Sequence, residues 1–358
     1  MNILALNVGS SSLKFGIYRS SGMAAAPTVE GEVDLKARRI RYHGIAGEGE
    51  LSFGGGGCDE ALGTLAGLAS EGTIDVVVHR VVHGGPGLRE HCLIDGAVLK
   101  KIQQAASFAP LHVPAALMWI HDAMRVFPSA TQVACFDTAF HYPLPELVRV
   151  LPVPGEWRER GVERFGFHGL SCESILAQLG TPPARLVIAH LGSGASLTAV
   201  RDGRSVDTTM GMTPTGGIIM GTRTGDIDPG VLLFLLRQGH CSPSELDDLL
   251  EHRCGLKGIS GVSADARELS AMLGHPMARL ALEQFALSVA RHAAGLAIVL
   301  GGMDLLVFTG GIGEHDTSMR DRIIQLLRPC FPSLVTRVLP AQENLAMARH
   351  AVRLAGRT

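Results

Sequence analysis

The chain lacks an excess of either charge: 32 Lys and Arg stand against 34 Asp and Glu in 358 residues, a formal net charge of −2. That balance leaves no electrostatic footprint for nucleic acid or an anionic membrane surface, so neither is expected as a partner. There is no C-x-x-C pair, and the cysteines number seven. An odd count without paired spacing excludes a zinc ribbon or a disulfide scaffold as the organising device, and reduced thiols are expected. The N-terminus, MNILALNVGSSS, has neither a basic segment nor a long apolar core and does not read as a secretory signal. The longest apolar stretch, near 293–309, is broken by Gly301-Gly302 and Asp304 and falls short of the ~20 residues a membrane span needs. A cytoplasmic location is the expectation. Two nucleotide-binding signatures are also missing. No G-x-x-x-x-G-K-[ST] occurs, which excludes a P-loop NTPase, and the segment at 192–197 lacks the third glycine of G-x-G-x-x-G.

What is present is a globular composition, 46% hydrophobic and 18% charged. At roughly 150 residues per domain the length predicts two domains. Glycine is abundant at 44 residues, well above the usual ~7%. Much of it lies in loops beside apolar strands, where a backbone can approach a ligand closely.

Residues 2–8 and 13–19 read as strands joined by the small polar turn Gly9-Ser10-Ser11-Ser12. LVIAHL (186–191), Gly192-Ser193-Gly194 and ASLTAV (195–200) repeat that strand–turn–strand pattern. LNVGS-SSL and AHLGSGASL align with one residue inserted, which predicts two similar halves. DVVVH (75–79) and TQVACF (131–136) read as strands, 97–107 and 114–126 as helices, and the four prolines of 141–155 as a linker. Helices dominate 229–301, with a capping box of Ser242 and Glu245. DLLVFT (304–309) is a strand running into a glycine loop, followed by helix 317–328. Strands alternating with helices give an α/β fold.

Four glycine-containing loops follow apolar strands, at 9–12, 84–87, 192–194 and 310–313. Such loops let backbone N–H groups converge on phosphate oxygens, although each alone also reads as a plain turn. Lys14 lies two residues past Ser12, Arg80 ends a strand, and Arg223 sits in the glycine-rich MGTRTGDIDPG. Each cation reads either as a solvated surface charge or as a donor to a carboxylate or phosphate. Asp137 ends a strand, as either a turn cap or a functional-edge carboxylate, and His168 in RFGFHGL is either a core histidine or a site residue. His79 and His83 have i,i+4 spacing, but the first ends a strand and no third metal ligand accompanies them.

LALNVGSSSLKFGIY, HRVVHGG, FDTAFH, RFGFHGLS, AHLGSGASL, MGTRTGDIDPG and FTGGIGE occur in this order. Together they resemble the acetate kinase family over nearly the whole chain. The resemblance implies two ribonuclease-H-like domains of the actin-like ATPase fold, with nucleotide in the cleft between them: residues 1–140 plus 343–358, and 141–342. It implies ATP-dependent phosphorylation of acetate to acetyl phosphate, ATP/ADP and Mg²⁺ as cofactors, and a homodimer. A propionate- or butyrate-preferring kinase, or a non-catalytic nucleotide sensor on the same fold, are the alternatives.

Carried over by position, the resemblance gives Asn7 and Glu343 as magnesium-linked. It gives Ser10, Ser12 and Lys14 as the first phosphate loop, and His190, Leu191, Gly192, Ser193 and Gly194 as the second. Arg80 and Arg223 flank the transferred phosphoryl group and the acyl carboxylate, Asp137 is the active-site acid, and His168 stabilises the transition state. Asp265, Ala266 and Arg267, with Gly311, Ile312, Gly313, Glu314 and His315, face the nucleoside. Val82, Leu111, Phe167 and Pro214 form the acyl-methyl pocket. The sequence departs from the family pattern at Val113, Cys172, Ser193 and His315, in PTGG (214–217) for the usual PLEG, and in PAQENL (340–345), where Glu343 and not Asn344 is the matching carboxylate. The stretch 316–340 is also shorter than usual. None of these departures removes a main catalytic group.

Overall fold

The protein is described from a computed structural model covering residues 1–9, 13–22, 24–45, 47–55, 57–69, 72–142 and 144–356. Two compact units divide the chain: one comprises Met1–Tyr142, Gly169–Ser174 and Gln342–Thr358, the other Pro143–His168 and Ile175–Ala341. The proline-rich segment thus contains one crossing point. The short return of Gly169–Ser174 to the first unit is not part of the two-segment division expected from sequence.

Among the described residues the first unit holds eight strands: β1 (Asn2–Val8), β2 (Leu13–Ser21), β3 (Ala24–Asp34), β4 (Arg39–Gly44), β5 (Gly47–Ser52), β6 (Val76–Val81), β7 (Cys92–Leu93) and β8 (Thr131–Phe136). The second holds β9 (Leu186–Leu191), β10 (Ala195–Arg201), β11 (Arg204–Thr208), β12 (Leu305–Thr309) and β13 (Val335–Val338). Their orders are β5-β4-β3-β2-β1-β6-β8-β7 and β11-β10-β9-β12-β13. Within both lies one five-strand pattern, three antiparallel neighbours followed by two parallel ones: β3-β2-β1-β6-β8 in the first and the whole of the second. The repeated hairpins are therefore the starting strands of two sheets of like topology. Strands β3, β4, β5, β7, β11 and β13 are additions to the sequence reading.

The central strands are apolar because helices cover both faces in the first unit. Leu4, Leu6, Phe15 and Val77 pack with Leu62, Leu65 and Trp119 of helices Cys58–Ala66 and Val113–Val126 on one face. Ile3, Ala5, Val76, Val78 and Val133 pack on the other against Met347, Ala348, Ala351 and Val352 of helix Glu343–Ala355. Those four helical residues repeat at i,i+4, which makes one stripe, and its alanines let the helix lie close to the sheet. In the second unit the long helix Pro276–Leu300 buries residues at helical spacing from Ala278 to Leu300 and packs on β9 and β10. Pro276 starts it, and Gly301 at φ +76° ends it. The expected capping box of Ser242 and Glu245 is present. The segment expected as a glycine loop, 310–313, is instead part of the short helix Gly310–His315. No helix among the described residues is long and apolar enough to cross a membrane.

Candidate active-site residues

In the first unit β1, β6 and β8 lie side by side, which brings three strand-end side chains together. Arg80 donates through Nε to Asp137 Oδ1 at 3.0 Å and Oδ2 at 2.9 Å, and through Nη2 to Oδ2 at 2.6 Å. Its Nη1 donates to Asn7 Oδ1 at 3.0 Å, and Asn7 Nδ2 donates to Glu343 Oε2 at 2.8 Å. Asn7 reaches Arg80 because it stands one residue beyond the Leu6–His79 pair of the parallel β1–β6 ladder. Asp137 follows β8, and its N–H donates to Val81 O at 3.1 Å, which fixes its carboxylate beside β6.

Burial pushes the Asp137 carboxyl above its ordinary value while the Arg80 guanidinium pulls against that shift. Burial likewise opposes the charge on Arg80, but Asp137 and Glu343 outweigh it and hold the guanidinium more firmly protonated. Two carboxylates around one guanidinium leave the cluster with a net negative charge. Its donor set is all oxygen, which is what Mg²⁺ takes while keeping several of its waters. Asn7 and Glu343, the expected magnesium-linked pair, thus fit such an ion.

In the second unit the β9–β10 register places His190 opposite Ser196. Side chains at paired positions share a face of the sheet, and His168 covers both. Its Nδ1 shares a hydrogen bond with Ser196 Oγ at 2.9 Å, and its ring stacks on His190 at 4.3 Å with 17° between planes. His168 holds φ +58° and ψ +27°, a left-handed conformation uncommon for a residue with a side chain and worth about 1 kcal/mol or more of strain. A Cβ placed on Gly194 would lie 3.3 Å from Arg223 Nη1 and 3.4 Å from His168 Nε2. A guanidinium and an imidazole therefore flank the same glycine turn.

The loop bearing Arg223 is pinned by backbone bonds. Cys254, Leu256 and Lys257 donate their N–H groups to the carbonyls of Thr222, Met220 and Gly221 at 2.9, 2.9 and 3.0 Å. These donors stand at the start of helix Gly255–Ser260, where N–H groups lack partners within the helix. Gly221 N–H donates in turn to Ser193 O at 3.1 Å, which ties the arginine loop to the β9–β10 turn.

The remaining expected residues are distributed as follows. Ser10 and Ser12 lie outside the described residues. Lys14, opposite Asn7 in the β1–β2 ladder, is exposed. Leu191 and Ala266 are buried side chains, which leaves their backbone for any nucleotide contact. Gly310 abuts Leu191 O and His190 Nε2, which puts the 310–315 segment beside the 190–194 turn. Glu314, expected to face the nucleoside, accepts from the N–H groups of Gly310 and Ala341, both at 2.9 Å. Asp265 caps helix Ala266–Ser270 and pairs with the exposed Arg267 at 3.0 Å. Of the acyl-pocket set, Val82 and the exposed Leu111 belong to the first unit, and the buried Phe167 and Pro214 to the second. Arg223 Nη1 donates to Pro214 O at 3.3 Å. His79 and His83 do not form a metal pair: His79 Nε2 meets Gln132 Oε1 at 2.8 Å, and His83 Nδ1 accepts from Gly85 N at 2.8 Å.

Sequence reading missed a cluster of metal-ligand type, His91, Glu173 and His350. Its proton positions argue against an ion. His91 Nδ1 accepts from Phe136 N–H at 3.1 Å, and His350 Nδ1 from the Arg353 guanidinium at 2.9 Å. Each Nε2 therefore carries the proton and donates to Glu173, at 3.2 and 2.6 Å. The cluster is a carboxylate clamp. Burial acts to raise the Glu173 carboxyl, but the two imidazole N–H bonds outweigh it and hold it down at about 2. Burial pushes His91 below its ordinary 6.5. Both folded values lie below the unfolded ones, so both contributions are present at neutral pH and fall away on acidification. The His91 share declines below 6.5 and the Glu173 share from 4.5 towards 2. Glu173→Gln is expected to cost about 1–3 kcal/mol at pH 7 and to flatten the acid limb, as measured by thermal melts from pH 7 to 3.

A sequence model of the acetokinase family matches residues 2–330. The chain belongs to the acetokinase family. It is 37% identical over 391 aligned residues to an acetate kinase of Rhodopseudomonas palustris (strain TIE-1), covering 99% of this chain and 98% of that one. It is 41% identical over 338 residues to an acetate kinase of Deinococcus radiodurans, covering 90% and 85%. Among solved structures, a propionate kinase from Francisella tularensis aligns with TM-score 0.90 at 32% identity, and Porphyromonas gingivalis acetate kinase with 0.85 at 28%, each covering 99% of both chains. The two sheets are accordingly the paired α/β domains of the actin-like ATPase fold, and this acetokinase-family chain is a phosphotransferase with a carboxyl group as acceptor.

Proposed function

We propose that the protein catalyses the reversible transfer of the γ-phosphoryl group of ATP to acetate, giving acetyl phosphate and ADP. The observation that carries this reading is Arg80, held by Asp137 and Asn7 at strand ends in a chain of this family. Acetate has a pKa near 4 and is already ionised at neutral pH, so no general base is needed. The geometry around Asp137 fits that requirement: both its oxygens accept from Arg80, which suits a group that orients a guanidinium rather than one that takes a proton. The barrier is electrostatic, since one anion must approach another, and it is lowered by in-line positioning and charge neutralisation. Arg80, Arg223 and His168 supply donors to the phosphoryl oxygens and the acyl carboxylate. Asn7 and Glu343 would hold Mg²⁺, through water or directly, and the bound ion would offset charge on the ATP phosphates. The glycine turn at 192–194 and the first turn of helix Gly310–His315 offer backbone N–H groups to the nucleotide.

A hydroxamate assay for acyl phosphate with ATP and acetate is expected to be positive. Propionate should also be used, because one methylene is worth only ~1–3 kcal/mol in an apolar pocket. The likeness to a propionate kinase favours testing that acid first. Absence of acyl phosphate with acetate, propionate and butyrate would reject the reading.

We further infer a cytoplasmic homodimer. Helix Pro229–Arg237 has no buried residue despite its sequence PGVLLFLLR, and Val231, Leu233 and Phe234 are 41%, 46% and 56% exposed. Apolar side chains in such number on one exposed helix suit an interface between copies. Leu233→Glu with Phe234→Glu is expected to shift the mass measured by light scattering from dimer to monomer. An unchanged dimer would assign the interface elsewhere.

A further inference from the structure

The carboxylate of Glu251 lies against the functional arginine of the second unit, and no motif pointed to it. Arg223 Nε and Glu251 Oε2 are 2.7 Å apart, with side chains only 16% and 10% exposed. Glu251 Oε1 accepts from Thr215 Oγ1, and its backbone carbonyl accepts from Thr222 Oγ1 at 2.6 Å. The last turn of helix Pro243–His252 is thus joined to the arginine loop by side chain and main chain together. Thr215 belongs to PTGG (214–217), one of the segments where the sequence departs from the family pattern.

We infer that Glu251 is a positioning residue for Arg223. An ion pair at Nε fixes the plane of the guanidinium about its last side-chain bond. With Nε held by Glu251, Nη1 is directed towards Pro214 O and the Gly194 turn, near His168 Nε2. An arginine that must meet a phosphoryl oxygen within a few tenths of an ångström depends on such a hold, because a 1 Å misplacement can cost ~10²-fold. Thr215 supports the carboxylate from the other side, so Thr215, Glu251 and Arg223 act in series.

The inference rests on the role proposed for Arg223, and the test separates the two. Glu251→Ala and the size-conserving Glu251→Gln are expected to lower kcat for acetyl phosphate formation by about 10- to 100-fold, as loss of an orienting partner does elsewhere. KM for ATP should change by less than about threefold, because the nucleotide contacts proposed here lie on other loops. Thr215→Val should lower kcat in the same direction and by less. The deciding measurement is a double-mutant cycle. Added to Arg223→Ala, Glu251→Ala should reduce kcat by less than about twofold further, since its action passes through the missing guanidinium. Losses that multiply in the double variant, or a Glu251→Gln enzyme within about threefold of wild type, would overturn the inference while leaving the role of Arg223 intact. A fully active Arg223→Ala enzyme would instead overturn that role. If Glu251→Ala fails to fold, the cycle is run with Glu251→Gln.

Discussion

Replacing Arg80 with alanine is expected to lower kcat by about a thousandfold or more, and Arg223→Ala by a similar factor, on the scale of an arginine finger. A factor of a thousand corresponds to about 4 kcal/mol of transition-state stabilisation. Arg80 can have an effect of that size because its position is fixed before substrate arrives. Its Nε and Nη2 meet Asp137, and its Nη1 meets Asn7. Removal also leaves Asp137, 1% exposed, without its cation, which adds repulsion against two incoming anions. Arg80→Lys keeps the charge and loses the two-point grip, so its activity should fall between wild type and alanine. Steady-state kinetics on variants with wild-type circular dichroism would decide, and near-normal turnover in both alanine variants would reject the assignment.

The second large effect is expected at Gly255, which has φ +60° at the start of helix Gly255–Ser260. A Cβ there would stand 2.2 Å from Met220 O, 2.7 Å from Arg223 O and 3.0 Å from Arg223 N. Those atoms are backbone and cannot rotate away. Left-handed strain of roughly 1–2 kcal/mol adds to overpacking of about 1–3 kcal/mol. Gly255→Ala should therefore lower the melting temperature by ~5 °C or more. Because the atoms displaced belong to the Arg223 loop, kcat should also fall by about tenfold or more. A variant with wild-type melting and turnover would show that the loop accommodates the methyl group.

The two starting hairpins were legible because their turns are small and polar and their strands apolar at nearly every position. Strands β4 and β5 were not, because their side chains are mostly exposed and their sequences, RIRYHG and GEGELS, lack an apolar run. Arg80 and Asp137 could be singled out as strand-end groups, but their pairing depends on the parallel β6–β8 register between strands far apart in sequence. Ser196 was accessible in principle: once the β9–β10 turn is placed, it must stand opposite His190. Glu251 gave no signal, since an acidic residue at a helix end reads as solvated surface until the loop it meets is placed. The His91–Glu173–His350 clamp joins segments so distant that no spacing rule could have gathered them.

Helix Glu343–Ala355 fills one face of the first sheet, yet it follows the second unit in the chain. During synthesis the early strands β1, β2, β6 and β8 emerge from the ribosome with that face bare, while the whole of the second unit is translated. The second unit can complete its own core as soon as Ala341 has emerged, whereas the first must wait for a segment made later. Nascent chains stalled before residue 343 should thus carry a finished second domain and a first domain that chaperones still bind.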